Sequence, residues 1–230
     1  MSRPALVLFD IDGTLLLTGR AGVRAMTAAF ADLFGVADAF ASVSMGGRTD
    51  SWLLSRALAN AGLPDTRENH AEFQSRYVAC LAAEITQPGT GRKGVLPGVT
   101  TLLDAVRGSG HLHAALLTGN YRSAADIKLS HFGLSAHFSW GAFSDDAADR
   151  NALVPIARSR ARERGVLPAA PDRTIVVGDT PYDVECAHTA GAHAIAVATG
   201  GFSPDELRAA GADAVLEDLA ETEAVLELLI

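Results

Sequence analysis

Short runs of apolar residues recur along the chain, and each run is followed by a stretch with helical periodicity. The runs cover residues 5–9, 112–117, 138–143, 174–177, 194–198 and 214–216. Because they are continuous rather than alternating, they indicate strands that are buried on both faces of a parallel sheet. Crossovers between parallel strands are right-handed, so the helices cover both sides. The pattern therefore predicts an α/β fold with a doubly wound parallel sheet, of the Rossmann-like kind.

The interval between the first two runs shows helical periodicity only. Apolar residues spaced by three and four positions predict a stripe along a first helix, formed by Val23, Met26, Phe30 and Leu33. Residues 50–60 and 66–85 predict two more helices, and the Pro- and Gly-containing segment 87–91 resembles a linker. We therefore predict a sheet-containing core formed by residues 1–17 and 91–230, and an inserted helical domain formed by residues 18–90.

Composition and charge restrict the classes of partner. Of the 230 residues, 48% are hydrophobic and 20% are charged, which is typical of a folded globular protein. The net charge of -8 argues against nucleic acid or an anionic membrane as the main partner, because both attract a basic surface. No apolar run reaches the roughly 20 residues that a membrane-spanning helix needs. We expect neither partner, and a monomer or homodimer.

The location of the protein is predicted from its first residues and its cysteines. Ser2, Arg3 and Pro4 lead directly into the first strand, without the pattern of a signal peptide. Cys80 and Cys186 fall in different predicted helices, which argues against a disulfide framework. Both observations favour the cytoplasm.

Polar residues follow three of the predicted strands. Asp10 and Asp12 follow the first run, Thr118 follows the second, and Asp179 and Asp183 follow the run 174–177. Ligands of open α/β sheets bind beyond the carboxyl ends of the strands, so these side chains are expected at one edge. Carboxylates that gather there repel one another unless a cation joins them, and oxygen ligands favour Mg²⁺.

These motifs together resemble the signature of the haloacid dehalogenase superfamily. The sequence Asp-x-Asp-Gly-Thr from Asp10 resembles the first family motif, and Thr118 stands where the second has Ser or Thr. Gly178-Asp179-x-x-x-Asp183 resembles the fourth motif, and Leu-Pro-Gly-Val from residue 96 is similar to the return from cap to core. The resemblance spans essentially the whole chain and is greatest to the phosphoglycolate-phosphatase-like branch. It implies that the inserted helices form a cap of the type called C1.

The resemblance implies a Mg²⁺-dependent phosphomonoester hydrolase. Asp10 is the predicted nucleophile, because a carboxylate that attacks phosphorus forms an aspartyl-phosphate and divides hydrolysis into two easier steps. Asp12 would protonate the leaving oxygen and later activate water. The expected metal ligands are Asp10, Asp179 and Asp12, the last through its backbone carbonyl as is usual in the family. Asp183 would contact the metal through water or orient Asp179.

Other residues are predicted to bind the substrate, a small phosphorylated metabolite such as phosphoglycolate or a sugar phosphate. Gly13 permits the close turn that brings backbone amides toward the phosphoryl oxygens. Thr118 and the amides of Gly119 and Asn120 would donate to the same oxygens. Arg48, in the loop at residues 46–50, would bind a carboxylate or phosphate of the substrate bidentately or else only cap a turn.

The phosphoryl group also needs a fixed cation, for which two residues compete. Arg150 stands where the family has a Lys or Arg before the helix that precedes the fourth motif, although the usual Lys-Pro is missing. Lys128 lies ten residues past the second strand, so we expect it about 15 Å along a helix that leads away from the site. Arg150 is the favoured choice, and the sequence leaves the question open.

Alternative activities are only partly excluded. Dehalogenases of the superfamily need no metal and usually lack the second aspartate, so Asp12 argues against one. Cleavage of phosphonates uses a cap lysine as a Schiff base, and residues 18–90 contain no lysine. A phosphomutase keeps all the same motifs and remains open. A non-catalytic module that binds phosphorylated ligands also remains, although the intact aspartates speak against it.

Overall fold

The computed structural model describes residues 4–167 and 173–230. Ser2 and Arg3, on which part of the predicted location depends, lie outside these residues. The strands are β1 (Ala5–Phe9), β2 (Leu16–Thr18), β3 (Lys93–Val95), β4 (Leu112–Leu117), β5 (Gly141–Ala142), β6 (Arg173–Gly178), β7 (His193–Val197) and β8 (Ala214–Leu216). Six of them form a parallel sheet in the order β5-β4-β1-β6-β7-β8.

Helices lie between the strands and within the long interval that follows β2. They are α1 (Ala21–Phe34), α2 (Asp50–Asn60), α3 (Arg67–Glu84), α4 (Val99–Ser109), α5 (Arg122–His131), α6 (Leu153–Glu163), α7 (Pro181–Thr189), α8 (Pro204–Ala209) and α9 (Thr222–Leu229). Short 3₁₀ turns occupy Ser135–His137 and Arg150–Ala152. Thr49 and Thr66 cap α2 and α3 by accepting a hydrogen bond from the backbone three residues on, which fixes where these helices begin.

The sheet is covered on both faces, which confirms the predicted doubly wound α/β fold. Val7 and Phe9 of β1 pack on one side with α4, α5 and α9. Leu6 and Leu8 pack on the other side with α6, α7 and α8. All five residues of β1 are buried, as expected for a central strand that carries apolar side chains in both directions.

The helices α1, α2 and α3 share their own apolar cluster, in which Phe30 and Phe73 pack edge to face with ring centroids 6.2 Å apart. The predicted stripe on α1 was partly wrong, because Leu33 is exposed. The buried face of α1 is formed by Ala21, Ala25, Met26, Ala29 and Phe30. Alanine therefore carries part of the contact that larger side chains were expected to make. The division of the chain into two domains stays a prediction.

Two short segments join these helices to the sheet and run side by side. β2 pairs antiparallel with β3, with Thr18 opposite Lys93, and the backbone N–H of Gly19 donates to the carbonyl of Arg92 at 3.1 Å. A Cβ at Gly19 would lie 2.6 Å from the Cα of Gly89. The two segments can approach this closely because both residues are glycines. The sequence did not predict this ribbon. Of the predicted strand at residues 138–143, only Gly141 and Ala142 pair in the sheet.

Among the described residues, no helix combines the length and the apolar composition that crossing a membrane requires.

Candidate active site

The carboxyl ends of β1, β4 and β6 meet at one edge of the sheet. Phe9 at the end of β1 lies opposite Leu116 of β4 and Val177 of β6 in parallel register. The residues that follow these positions therefore emerge together, and they border a cleft of about 440 Å³ between the sheet edge and the helices α1 and α2. The predicted site residues that line it are Asp10, Asp12, Arg48, Gly119, Asn120, Lys128, Arg150 and Asp179.

Three buried carboxylates form the centre of this edge. Asp10, Asp179 and Asp183 each present an oxygen within 4.8 Å of the others. Burial raises the pKa of Asp10 to about 6 and that of Asp179 well above its ordinary range. Neighbouring carboxylates add to both shifts, because like charges disfavour ionisation. The group therefore has the oxygen ligands and the excess negative charge that suit a hard divalent cation.

Two glycines leave the space in which the Asp179 carboxylate lies. A Cβ at Gly200 would lie 1.7 Å from Oδ2 of Asp179, and a Cβ at Gly13 would lie 2.3 Å from the same atom. Gly13 adopts a φ of 85°, which side chains rarely tolerate. Thr14 donates its hydroxyl to Oδ1 of Asp179 at 3.3 Å. This cradle fits a metal-ligating role for Asp179.

Arg150 joins the nucleophile candidate to the third carboxylate. Its guanidinium lies 3.3 Å from Oδ1 of Asp10 and also pairs with Oδ1 of Asp183. All three side chains are buried, so a positive charge here partly compensates two negative ones. The structure thus places Arg150 in direct contact with Asp10.

Three donors hold the carboxylate of Asp183, which lies in the first turn of α7. Its Oδ2 accepts from the backbone N–H of Thr180 at 3.0 Å and from the Thr180 hydroxyl at 2.7 Å, completing a capping box. Arg150 binds its other oxygen. With both oxygens engaged, Asp183 is suited to orienting its neighbours, one of the two roles that the sequence predicted.

Asp12 lies outside the group of three buried carboxylates, and its side chain contacts Lys128. The ammonium of Lys128 donates to Oδ2 of Asp12 at 2.6 Å and to Oδ1 of Asn120 at 2.5 Å. The side-chain amide of Asn120 also donates to Oδ2 of Asp12, at 2.8 Å. The Asp12 side chain is 41% exposed toward the cleft, whereas that of Lys128 is 4% exposed. A metal contact of Asp12 through its backbone carbonyl stays a prediction.

The expected position of Lys128, about 15 Å from the site, was wrong. The helix α5 begins only at Arg122, so Lys128 lies about 9 Å along it rather than 15 Å. Helical side chains also point back toward the N-terminus, and a lysine side chain spans much of the remaining distance. The structure brings both Arg150 and Lys128 to the site, each against a different aspartate.

The predicted phosphate-binding groups lie on the loop after β4. Thr118 is buried, and its hydroxyl oxygen accepts from the side-chain amide of Asn120 at 2.7 Å and from its backbone N–H at 3.3 Å. Gly119 is pressed against the helical insert, since a Cβ there would lie 2.1 Å from the carbonyl oxygen of Arg48. The carbonyl of Gly13 accepts from Thr199 at 2.5 Å.

Arg48 is stacked between two aromatic rings. Its guanidinium carbon lies 4.5 Å from the ring centroid of Trp52 on α2 and 3.9 Å from that of Tyr182 on α7. It also donates to the Tyr182 hydroxyl at 2.9 Å. Arg48 thus connects the helical insert to the rest of the chain in this structure, and its contact with substrate stays a prediction.

Sequence reasoning missed Asp50 and the loop that follows β7. Asp50 is buried; its backbone N–H donates to the Gly119 carbonyl at 2.7 Å, and its Oδ2 accepts from the backbone N–H of Tyr121 at 2.8 Å. Burial raises its pKa to about 7. An acidic residue is ordinary in the first turn of a helix, so no local signal marked Asp50. Thr199 and Gly200 follow a parallel strand, so the strand-end rule could have found them.

The chain is similar to known proteins over nearly its whole length. Residues 7–188 match the model of a family described as haloacid dehalogenase-like hydrolase. The sequence is 31% identical over 221 residues to a phosphoglycolate phosphatase from Rhodospirillum rubrum, which covers 94% of this chain and 88% of that protein.

Solved structures share the same fold. A hydrolase from Pseudomonas syringae matches with a TM-score of 0.72 at 23% identity, and 99% of each chain is covered. CbbY from Rhodobacter sphaeroides, in complex with xylulose-(1,5)-bisphosphate, matches with a TM-score of 0.68 at 26% identity. That match covers 95% of this chain and 96% of CbbY.

Proposed function

Because the chain belongs to the haloacid dehalogenase-like hydrolase family, we propose that it is a Mg²⁺-dependent phosphatase that cleaves phosphomonoesters through Asp10. The observation that carries the proposal is the buried group of Asp10, Asp179 and Asp183, with Arg150 in contact with the first and the last. A nucleophile, candidate metal ligands and a fixed cation therefore lie within one small volume.

In the first step an oxygen of Asp10 attacks the phosphorus of the ester. The bond from phosphorus to the leaving oxygen breaks as the aspartyl-phosphate forms, and Asp12 gives its proton to that oxygen. Arg150 holds Asp10 and adds positive charge beside the transferring group. Thr118 and the backbone amides that follow Asp10 supply neutral hydrogen-bond donors.

In the second step Asp12 accepts a proton from a water molecule that attacks the phosphorus. The bond between phosphorus and Asp10 breaks, which regenerates the carboxylate and releases inorganic phosphate. Lys128 and Asn120 hold the Asp12 carboxylate toward the open side of the cleft, where both the leaving group and water pass. The same residue thus acts first as acid and then as base.

A bound Mg²⁺ supplies charge neutralisation for the phosphoryl oxygens and for the carboxylates that face them. The residues that would hold it are Asp10 and Asp179 through their side chains and Asp12 through its carbonyl. Asp183 would orient Asp179 and Arg150 from its position on α7.

The substrate is a small phosphorylated metabolite, and the relatives suggest phosphoglycolate or a sugar phosphate. The cleft of about 440 Å³ has the size of a pocket for such a molecule. We further propose that residues 18–90 act as a cap whose closure excludes water from the cleft, and that the enzyme works in the cytoplasm. Neither nucleic acid nor a membrane is expected as a partner.

A phosphate-release screen tests the proposal. The wild type and Asp10→Asn are compared on p-nitrophenyl phosphate, phosphoglycolate, sugar phosphates and nucleotides, with Mg²⁺ present. We expect release that depends on Asp10. A phosphomutase would convert a sugar phosphate into its isomer with little release, and a binding module would do neither; both results would contradict the proposal.

A further inference from the structure

Among the described residues, five cationic ones line the cleft, and three of these contact other side chains there. Arg150 pairs with Asp10 and Asp183, Lys128 pairs with Asp12, and Arg48 is stacked between aromatic rings. The remaining two are Arg20 and Arg92. Neither side chain makes a hydrogen bond or ion pair with any residue within 4–167 and 173–230. Both residues are exposed, so their charges are solvated and have no partner among the described residues.

Arg20 and Arg92 come from neighbouring positions of the two segments that join the helical insert to the sheet. The hydrogen bond from Gly19 N–H to the Arg92 carbonyl brings these segments together. Both residues line the same cleft. Arg20 has a φ of 65° and is the single non-glycine residue with positive φ in the described part of the chain. This backbone conformation is unfavourable for an L-residue with a side chain, and such strain is often found at functional sites.

The position of Gly22 relates this pair to the catalytic residues. A Cβ at Gly22 would lie 3.7 Å from the ammonium of Lys128, which in turn contacts Asp12. Arg20 lies two residues before Gly22, and both residues line the cleft. Val23, Met26 and Leu53 supply an apolar surface along this part of the cleft. The two arginines therefore share the cleft with Asp10 and with these apolar residues.

We propose that Arg20 and Arg92 form a second anion subsite, which binds the carboxylate or second phosphate of a doubly anionic substrate. The inference rests on the proposed phosphatase activity and defines the class of its substrate. Guanidinium groups suit both anions, because their planar donors bind two oxygens at once. The opposite end of the cleft carries carboxylates, so the second anion would be repelled there. The subsite would thus fix which end of the substrate faces Asp10.

Matched substrates measure the contribution of the second anion. One pair is 2-phosphoglycolate and ethyl phosphate, which differ by a carboxylate. The other pair is a sugar bisphosphate and the corresponding monophosphate. The preference is the ratio of kcat/KM within each pair. The pair that shows a preference identifies the anion as carboxylate or phosphate.

Arg20→Gln and Arg92→Gln each remove one charge while keeping a polar side chain of similar length. We expect each to lower the preference roughly ten- to hundred-fold, as loss of a hydrogen bond between charged groups does. Arg20→Lys should retain only part of the wild-type preference, because lysine keeps the charge but cannot bind bidentately. Arg67→Gln on α3, an exposed arginine outside the cleft, is the control and should leave the preference unchanged.

Binding measured without turnover separates this inference from the proposed function. Titration calorimetry of the anionic substrates with Asp10→Asn, alone and combined with Arg20→Gln, should show a weaker Kd in the double variant. Equal Kd values, or an unchanged preference in both arginine variants, would overturn the subsite. If the wild type releases no phosphate from p-nitrophenyl phosphate, the proposed activity itself is overturned. Thermal melting of each variant checks that it is folded.

Discussion

The ammonium of Lys128 lies 2.6 Å from Oδ2 of Asp12, although 116 residues separate them in the chain. The contact is largely shielded from solvent on the lysine side and open on the aspartate side. A charged donor in this position fixes the direction of the Asp12 carboxylate, which the proposed mechanism uses twice. Lys128 and Arg150 therefore act on different aspartates rather than competing for one role.

Removal of either cation should impair catalysis strongly. We expect Lys128→Met and Arg150→Met each to lower kcat/KM by roughly 10²-fold, the usual cost of one preorganised charged donor. Steady-state kinetics on p-nitrophenyl phosphate measure the loss, and circular dichroism checks the fold. Arg107→Met, on the exposed face of α4, is the control. A loss of only a few-fold for Lys128→Met would show that its contact with Asp12 is structural.

Asp10→Asn should abolish turnover without destabilising the protein. We expect kcat to fall by roughly 10³-fold or more, because an amide is a poor nucleophile. The melting temperature should stay equal or rise, since the change removes a buried negative charge beside Asp179 and Asp183. Asp104→Asn, an exposed residue on α4, is the matched control. Substantial residual turnover would contradict the covalent mechanism.

Chelation should remove activity reversibly. With excess EDTA we expect phosphate release to stop, and added Mg²⁺ should restore it. Ca²⁺ should inhibit, because its looser coordination does not hold the ligands at octahedral distances. Asp179→Asn should raise the Mg²⁺ concentration needed for half-maximal activity. Full turnover in EDTA would show that no metal takes part.

Substitution of Arg48 tests the contact that it makes between Trp52 of the helical insert and Tyr182 of α7. In a Trp140→Phe background, Trp52 is the one tryptophan left in the chain. Arg48→Ala should shift its emission to the red, because the guanidinium no longer covers the ring. It should also lower kcat/KM roughly ten-fold on small and large esters alike, a loss of about 1–2 kcal/mol. Tyr182→Phe keeps the ring and should have a smaller effect. A loss confined to large substrates would instead favour direct substrate binding by Arg48.

Asp50 should make stability fall as the pH rises. Burial raises its pKa from 3.8 to about 7, so between these values the folded protein retains a proton that the unfolded chain has lost. The free energy of unfolding therefore decreases from about pH 4 to about pH 7. Asp50→Asn keeps an acceptor for Tyr121 and removes the titration. Urea denaturation of both proteins should show the variant gaining stability relative to the wild type across this range, and a constant difference would contradict the shift.

The sheet was predictable because its strands are buried on both faces. Such strands appear in the sequence as continuous apolar runs. The same logic found Asp10, Thr118 and Asp179, since the register of three parallel strands brings their ends together. It could not place Lys128 in contact with Asp12. That contact depends on the residue at which α5 begins and on the direction in which the lysine side chain points. Asp50 was hidden for a related reason. Its partners, Gly119 and Tyr121, lie far away in sequence, and no local pattern encodes that contact.

The ribbon formed by β2 and β3 has a consequence for the evolution of the chain. The strands that lead out to α1 and back from α3 lie next to each other, with Gly19 hydrogen-bonded to Arg92. A tight turn between them would close the chain without moving the sheet. We therefore expect that exchange or lengthening of the intervening helices would leave the register of Asp10 on β1 unchanged. New substrates could arise through such exchanges, with the phosphoryl chemistry inherited unchanged.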